Sequence, residues 1–185
     1  GFAKVKTLDF DSFEVPEINK EIFINPNSKR LQLLKPFKKW NNKEMEDLRI
    51  LIKTKGKCTT DHVSPAGPWL RFRGHLENIS QNMYSGALNA FTETTGEAIN
   101  TDNRKTENIY EVAKYYNSNN INWIAIADEN YGEGSSREHA AMEPRFMGCK
   151  IILAKSFARI AQTNLQKQGI IPLIFENESN YDLIE

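Results

Sequence analysis

The second half of the chain predicts an α/β fold built on a parallel sheet. Runs at 123–127, 150–154 and 170–175 read as strands, and the first is nearly continuously apolar, as expected of a strand buried on both faces. Stretches of helical spacing separate them, and the connections are short. Strand, helix, strand, helix, strand in that order implies parallel neighbours joined by right-handed crossovers.

Taken in order, residues 1–30 mix charges with Pro16 and Pro26 and hold no period, so they are expected to form an extended arm or linker from a preceding domain, leaving 31–185 as the folded domain. An apolar patch at 31–37 and an expected short helical turn at 43–47 precede a strand at 48–53, marked by its alternating, β-branched content. Residues 54–76, rich in Gly, Pro and Thr, predict a long loop, and Trp69, Leu70 and Phe72 within it speak for order. The polar stretch 92–106 predicts a surface loop. Ile109, Val112, Ala113 and Tyr116 share one helix face, and the Asn-rich run 117–120 ends that helix. After the strand at 123–127 come a glycine and serine loop, a helix from about Ser136 and the strand at 150–154. Phe157, Ile160, Ala161, Asn164 and Leu165 line a further helix that Gly169 closes before the last strand.

Composition bounds the function. At 185 residues the chain can bury a sizeable core, and 39% apolar with 26% charged residues is ordinary for a globular protein. Lys plus Arg and Asp plus Glu number 24 each, so no global field draws the chain to nucleic acid or to an anionic membrane surface. No apolar run has transmembrane length, and the N-terminus carries no targeting pattern. A start at Gly1-Phe2 suggests a piece of something longer. Cys58 and Cys149 lie far apart without a Cys-x-x-Cys pair, too few for a zinc or iron–sulfur site of their own; two buried, reduced thiols are expected. The Asn-x-Ser sequons at Asn78 and Asn177 are read as chance matches.

Two segments carry chemistry. In Asp128-Glu129-Asn130-Tyr131-Gly132-Glu133-Gly134-Ser135-Ser136-Arg137-Glu138-His139, two serines and an arginine follow two glycines at the carboxyl end of a predicted strand, where open α/β sheets place ligands. Unpaired N–H groups at a helix start, together with the Arg137 guanidinium, suit a carboxylate or phosphate. The plainer alternative is a tight connection in which Ser135 or Ser136 caps the helix. The loop lacks the spacing of a dinucleotide fingerprint, a phosphate-loop lysine and a hydrolase elbow. The second segment is Thr59-Thr60-Asp61-His62-Val63-Ser64-Pro65-Ala66-Gly67 with Pro68 to His75. It is either a rigid turn with Asp61 capping local amides, or a site in which Asp61 or His62 orients polar groups and Arg73 binds an anion.

Taken together, Asp61 to Leu70, Phe72-Arg73-Gly74-His75, Asp128 to Pro144, Lys155-Ser156-Phe157-Ala158-Arg159-Ile160 and Asn164-Leu165 resemble the C-terminal swivelling domain of aconitate hydratase, in its mitochondrial form. The similarity runs from about Ser28 to Phe175, while 1–27, 92–106 and 117–120 match no family motif. The resemblance implies an aconitase-type swivelling β/β/α domain and a hydro-lyase that interconverts citrate and isocitrate through cis-aconitate, in the mitochondrial matrix, with the cytosol as a second location left open. By motif position it implies Ser135 as the catalytic base, Arg73, Ser136 and Arg137 as substrate-binding residues, and Asp61 as their support. It further implies a [4Fe-4S] cluster ligated by cysteines outside this chain, on N-terminal domains of the same protein, so that the isolated domain is inactive and holds no metal itself. An RNA-binding domain of an iron-regulatory protein is the alternative from another class, kept open by Lys35, Lys38 and Lys39 but opposed by the neutral balance. The swivelling subunit of an isopropylmalate isomerase is a third reading.

Overall fold

The computed structural model describes residues 23–37, 39–41 and 43–185. Lys38 and residues 1–22, most of the expected arm, fall outside the described residues. Its central feature is a four-stranded sheet of β1 (Arg49–Lys53), β6 (Trp123–Ala127), β7 (Cys149–Ala154) and β8 (Ile171–Ile174), in that spatial order and parallel throughout. The intervening elements are α1 (Thr60–Val63), α2 (Leu76–Ile79), β2 (Leu88–Asn89), β3 (Thr94–Thr95), β4 (Glu97–Ile99), β5 (Thr106–Asn108) and α3 (Ile109–Ser118), with α4 (His139–Phe146) before β7 and α5 (Arg159–Gln168) before β8. Two-stranded antiparallel pairs, β2 with β3 and β4 with β5, sit beside the main sheet.

The core follows from the apolar runs. Trp123, Ala125, Ile126 and Ala127 of β6 and Cys149, Ile152 and Ala154 of β7 are buried, as interior strands of a sheet covered by helices must be. Ile109, Val112, Ala113 and Tyr116 present one buried face of α3, and the Asn108 side chain caps that helix by accepting the Tyr110 N–H at 2.9 Å. The Trp123 indole donates to the Met147 carbonyl at 2.7 Å, giving the largest buried ring a partner for its only polar atom. Both cysteines are buried and free, and burial pushes the Cys58 thiol up to about 12. No helix among the described residues is long and apolar enough to cross a membrane.

Five expectations need correction. Residues 43–46 form no helical turn, because so short a segment gains one hydrogen bond for several fixed dihedrals, and Asp47 turns to φ 53°. The supposed loop 54–76 contains α1, a 3-10 turn at Gly67–Phe72 and the start of α2; side-chain caps from Thr59 and His75 start the two helices and Pro68 lies in the first turn of the 3-10 segment, none of which periodicity reveals. The polar stretch 92–106 supplies β3, β4 and the start of β5, whose strands are too short for alternation to show. The fourth helix starts at His139, three residues later than expected. Ile160 is exposed, and β8, as the edge strand, leaves Ile171, Leu173 and Ile174 partly in solvent.

Candidate active site

The loop after β6 is shaped by its glycines and stitched to both neighbouring strands' loops. Gly132 has φ 76°, and a Cβ there would lie 2.3 Å from the Ala161 Cβ of α5, so only glycine lets loop and helix approach this closely. The Gly132 N–H donates to the Cys58 carbonyl at 2.7 Å, the Thr60 N–H to the Glu133 carbonyl at 2.9 Å, and the Thr60 hydroxyl to the Gly132 carbonyl at 3.1 Å. On the other side, the Tyr131 N–H donates to the Ser156 carbonyl and the Ala158 N–H to the Tyr131 carbonyl, both at 3.0 Å. Tyr131 is anchored below by a 2.7 Å hydroxyl contact with Tyr84, both rings being buried. Asp128 at the loop's entry pairs with Lys155 at 2.8 Å and accepts the Gly56 N–H at 2.9 Å.

Arg137 stands at the centre of what these contacts assemble. One guanidinium nitrogen, Nη1, donates to the Ser64 carbonyl at 2.7 Å; the other, Nη2, donates to the Asp61 carboxylate and, at 3.0 Å, to the Ser135 hydroxyl oxygen. Asp61 lies in the first turn of α1, whose start is held by a capping box between Thr59 and His62. A four-residue helix has no stability of its own, so the cap and the Thr60 contacts to the glycine loop set where Asp61 points. Ser135 and Ser136 are exposed while the Arg137 side chain is largely covered, so a mostly buried cation is held against the accessible Ser135 hydroxyl. Because α4 begins at His139, these serines precede its first turn; the Arg137 N–H turns back to the Ser135 carbonyl at 2.9 Å, and Glu138 at the N-cap makes no side-chain cap. The guanidinium, more than the helix dipole, therefore supplies positive charge here.

Of the residues singled out from sequence, Asp61, Ser135 and Arg137 touch one another, and Ser136 lines the same cleft with Arg137, Thr60 and Tyr131. Arg73 makes no hydrogen bond or ion pair with this group among the described residues. Its carbonyl lies 2.9 Å from His139 Nε2, while its side chain is exposed and joins no ion pair among the described residues. Arg73 instead borders a concavity with Arg30, Arg71 and Gly74. Sequence reasoning missed Ser64 and Glu143, which lie immediately behind Arg137: the Ser64 hydroxyl donates to Glu143 Oε1 at 2.8 Å. No spacing flags either residue, since the pairing joins positions 64 and 143 only in three dimensions. Burial pushes the Glu143 carboxyl up to about 9, with the Ser64 bond and the Arg137 charge opposing. Among the described residues no three His, Cys, Asp or Glu side chains come together to hold a metal ion.

The fold is thus a parallel α/β domain whose strand-end loops bring Ser135, Arg137 and Asp61 into contact. The chain belongs to the aconitase C-terminal domain family, whose sequence pattern matches residues 48–178. It is 51% identical over 175 residues to a probable mitochondrial aconitate hydratase of Caenorhabditis elegans, covering 95% of this chain and 22% of that protein. Over 177 residues it is 50% identical to mitochondrial aconitate hydratase of Saccharomyces cerevisiae, covering 94% and 23%. The homocitrate dehydratase of the same yeast is 53% identical over 169 residues, covering 91% and 21%. The chain thus spans about a fifth of the length of these relatives. Among solved structures, a 3-isopropylmalate dehydratase from Methanocaldococcus jannaschii aligns at 25% identity and a TM-score of 0.42, over 66% of this chain and 59% of that one.

Proposed function

We propose that residues 31–185 form the C-terminal domain of a mitochondrial aconitate hydratase, with 1–30 as the arm that leads into it, and that the whole protein interconverts citrate and isocitrate through cis-aconitate. The observation that carries this reading is the Arg137 guanidinium shared among the Ser135 hydroxyl, Asp61 and the Ser64 carbonyl. Dehydration of a hydroxy acid requires a base to take the proton from carbon while hydroxide leaves the neighbouring carbon. Ser135 is that base, acting as its alkoxide. A free serine alkoxide is far too basic to persist in water, and a cationic N–H donor 3.0 Å from the oxygen, in a site that closes against a partner domain, is the kind of environment that stabilises it.

The remaining residues serve binding. A tricarboxylate needs cationic contacts from several directions, and planar guanidinium groups match its carboxylates better than lysines do. Arg137 from the serine loop and Arg73 from the 3-10 turn supply two such contacts, Ser136 donates a hydrogen bond to a carboxylate, and Asp61 holds Arg137 in place. The family resemblance implies a [4Fe-4S] cluster as well. Cys58 and Cys149 are both fully buried, so this chain's residues do not fit as its ligands, and the cluster belongs to cysteines of the other domains.

The test uses the full-length protein, following formation of the unsaturated tricarboxylate from citrate (cis-aconitate) and, because one relative is a homocitrate dehydratase, from homocitrate (its one-carbon-longer homologue). Ser135→Ala should lower kcat by about 100- to 10,000-fold, the usual worth of a positioned base. Undiminished turnover would remove Ser135 from the mechanism, and turnover of homocitrate alone would change the substrate.

A further inference from the structure

Glu143 sits on the inner face of α4 with no solvent exposure, and its two oxygens are treated unequally. Oε1 accepts the Ser64 hydroxyl at 2.8 Å, whereas Oε2 is buried without a hydrogen-bond partner. Such a side chain is costly. A leucine or methionine of similar volume would avoid the desolvation and the orphaned oxygen, so stability alone does not account for an acid at this position.

What the acid holds is more informative. Ser64 ends α1, its N–H bonded to the Thr60 carbonyl at 2.8 Å, and it is itself 1% exposed. Its carbonyl takes Arg137 Nη1 at 2.7 Å, and the next carbonyl, that of Pro65, accepts from the buried Asn82 side chain at 2.9 Å. The turn that presents the Ser64 carbonyl to Arg137 is therefore clamped from below by two buried polar side chains, one of them Glu143. The chain of contacts Glu143, Ser64, Arg137, Ser135 runs from the core to the accessible hydroxyl without a gap.

We propose that Glu143 is a positioning residue: acting through Ser64, it fixes the orientation in which the Arg137 guanidinium meets Ser135. This rests on the assignment of Ser135 and Arg137 to the active site. The role is geometric. The carboxyl is held in its neutral form by burial, so its contribution is a fixed acceptor for the Ser64 hydroxyl rather than a charge beside Arg137. A glutamine offers the same acceptor in the same place, whereas a leucine does not. Removing the Ser64 hydroxyl cuts the link while leaving the Ser64 carbonyl in the chain.

The full-length protein carrying Ser64→Ala, Glu143→Leu or Glu143→Gln separates the possibilities, with kcat and KM for citrate and a crystal structure of each variant as readouts. Ser64→Ala and Glu143→Leu should each lower kcat about 10- to 100-fold, the scale on which small displacements of catalytic groups act, and in their crystals Arg137 should no longer donate to Ser135. Glu143→Gln should keep that hydrogen bond and most of the rate. Combining Ser64→Ala with Glu143→Leu should cost no more than either alone, since both cut one link. Should Glu143→Leu fail to fold, Ser64→Ala carries the test by itself. Unchanged kcat with Arg137 undisturbed in Ser64→Ala, or a Glu143→Gln variant as impaired as Glu143→Leu, overturns the proposal. A wild-type protein without activity would instead sink the hydratase reading, while the position of Arg137 in the variant crystals would still decide the structural link.

Discussion

Two arginines expected to share one task are held in opposite ways. Arg137 is largely covered and engages three oxygens of Ser64, Asp61 and Ser135, while Arg73 extends an exposed side chain and meets the helix after the serine loop only through its carbonyl and His139. The first has its orientation set by the fold; the second has no ion pair among the described residues to set its direction. Interactions already in place at the moment of reaction favour the transition state, whereas groups recruited by the ligand mostly add affinity. The difference between the two guanidinium groups should therefore appear as a difference between kcat and KM.

The largest effect is expected at the fixed arginine. Arg137→Lys leaves one ammonium to replace a fork reaching three acceptors, and kcat for the full-length protein should fall about 100- to 1,000-fold, or about 3 to 4 kcal/mol. If kcat barely moved while KM rose, Arg137 would be no more than a second Arg73. Arg73→Ala should act the other way, raising KM about 10- to 100-fold, as befits a lost hydrogen bond to a charged group worth about 1.5 to 3 kcal/mol, with a smaller change in kcat. Steady-state kinetics on the pair of variants decides both.

The backbone beneath Arg137 offers the next test. Gly132→Ala must place a methyl group against Ala161 at a left-handed φ, and urea unfolding should show a loss of about 1 to 3 kcal/mol. Loss of activity without loss of stability would show the loop to be softer than its hydrogen bonds imply. A further test concerns pH. Glu143 has a carboxyl raised from 4.5 to about 9 in the folded chain, so folding favours its protonated form. Its contribution is fully present below the unfolded value and is lost as pH climbs through the folded one. Between about pH 4.5 and 9 it should lower stability with a slope of up to about 1.4 kcal/mol per pH unit. Titration of unfolding free energy should show this slope flattened in Glu143→Gln. Ser64 and Arg137 act on this carboxyl against its burial, and its field reaches Tyr131.

The same contrast marks what was legible in the sequence. The strands β6 and β7 and the buried face of α3 announced themselves because burial on two faces, or on one stripe, imposes a residue pattern. The short helices in 54–76 did not, since α1 and α2 hold four residues each and stand on caps and tertiary contacts. The strands in 92–106 run to two or three residues, below the length at which alternation is visible. Among site residues, the glycines and serines of the 128–138 loop stood out by composition. Ser64 and Glu143 looked like any serine and glutamate, because what distinguishes them is a contact across 79 positions.

By itself the sequence determined that the chain folds as an α/β domain, that a serine and arginine loop ends a buried strand, and, through its long motifs, which family that loop belongs to. Those conclusions rest on properties local in the chain, namely apolar periodicity, glycine placement and contiguous words. Only the tertiary structure decided that Arg137 bridges Asp61, Ser64 and Ser135 while Arg73's side chain stays free of ion pairs among the described residues, and that a buried acid stands behind them. The direction of a guanidinium group is set by packing between segments remote in sequence, and no local pattern encodes it.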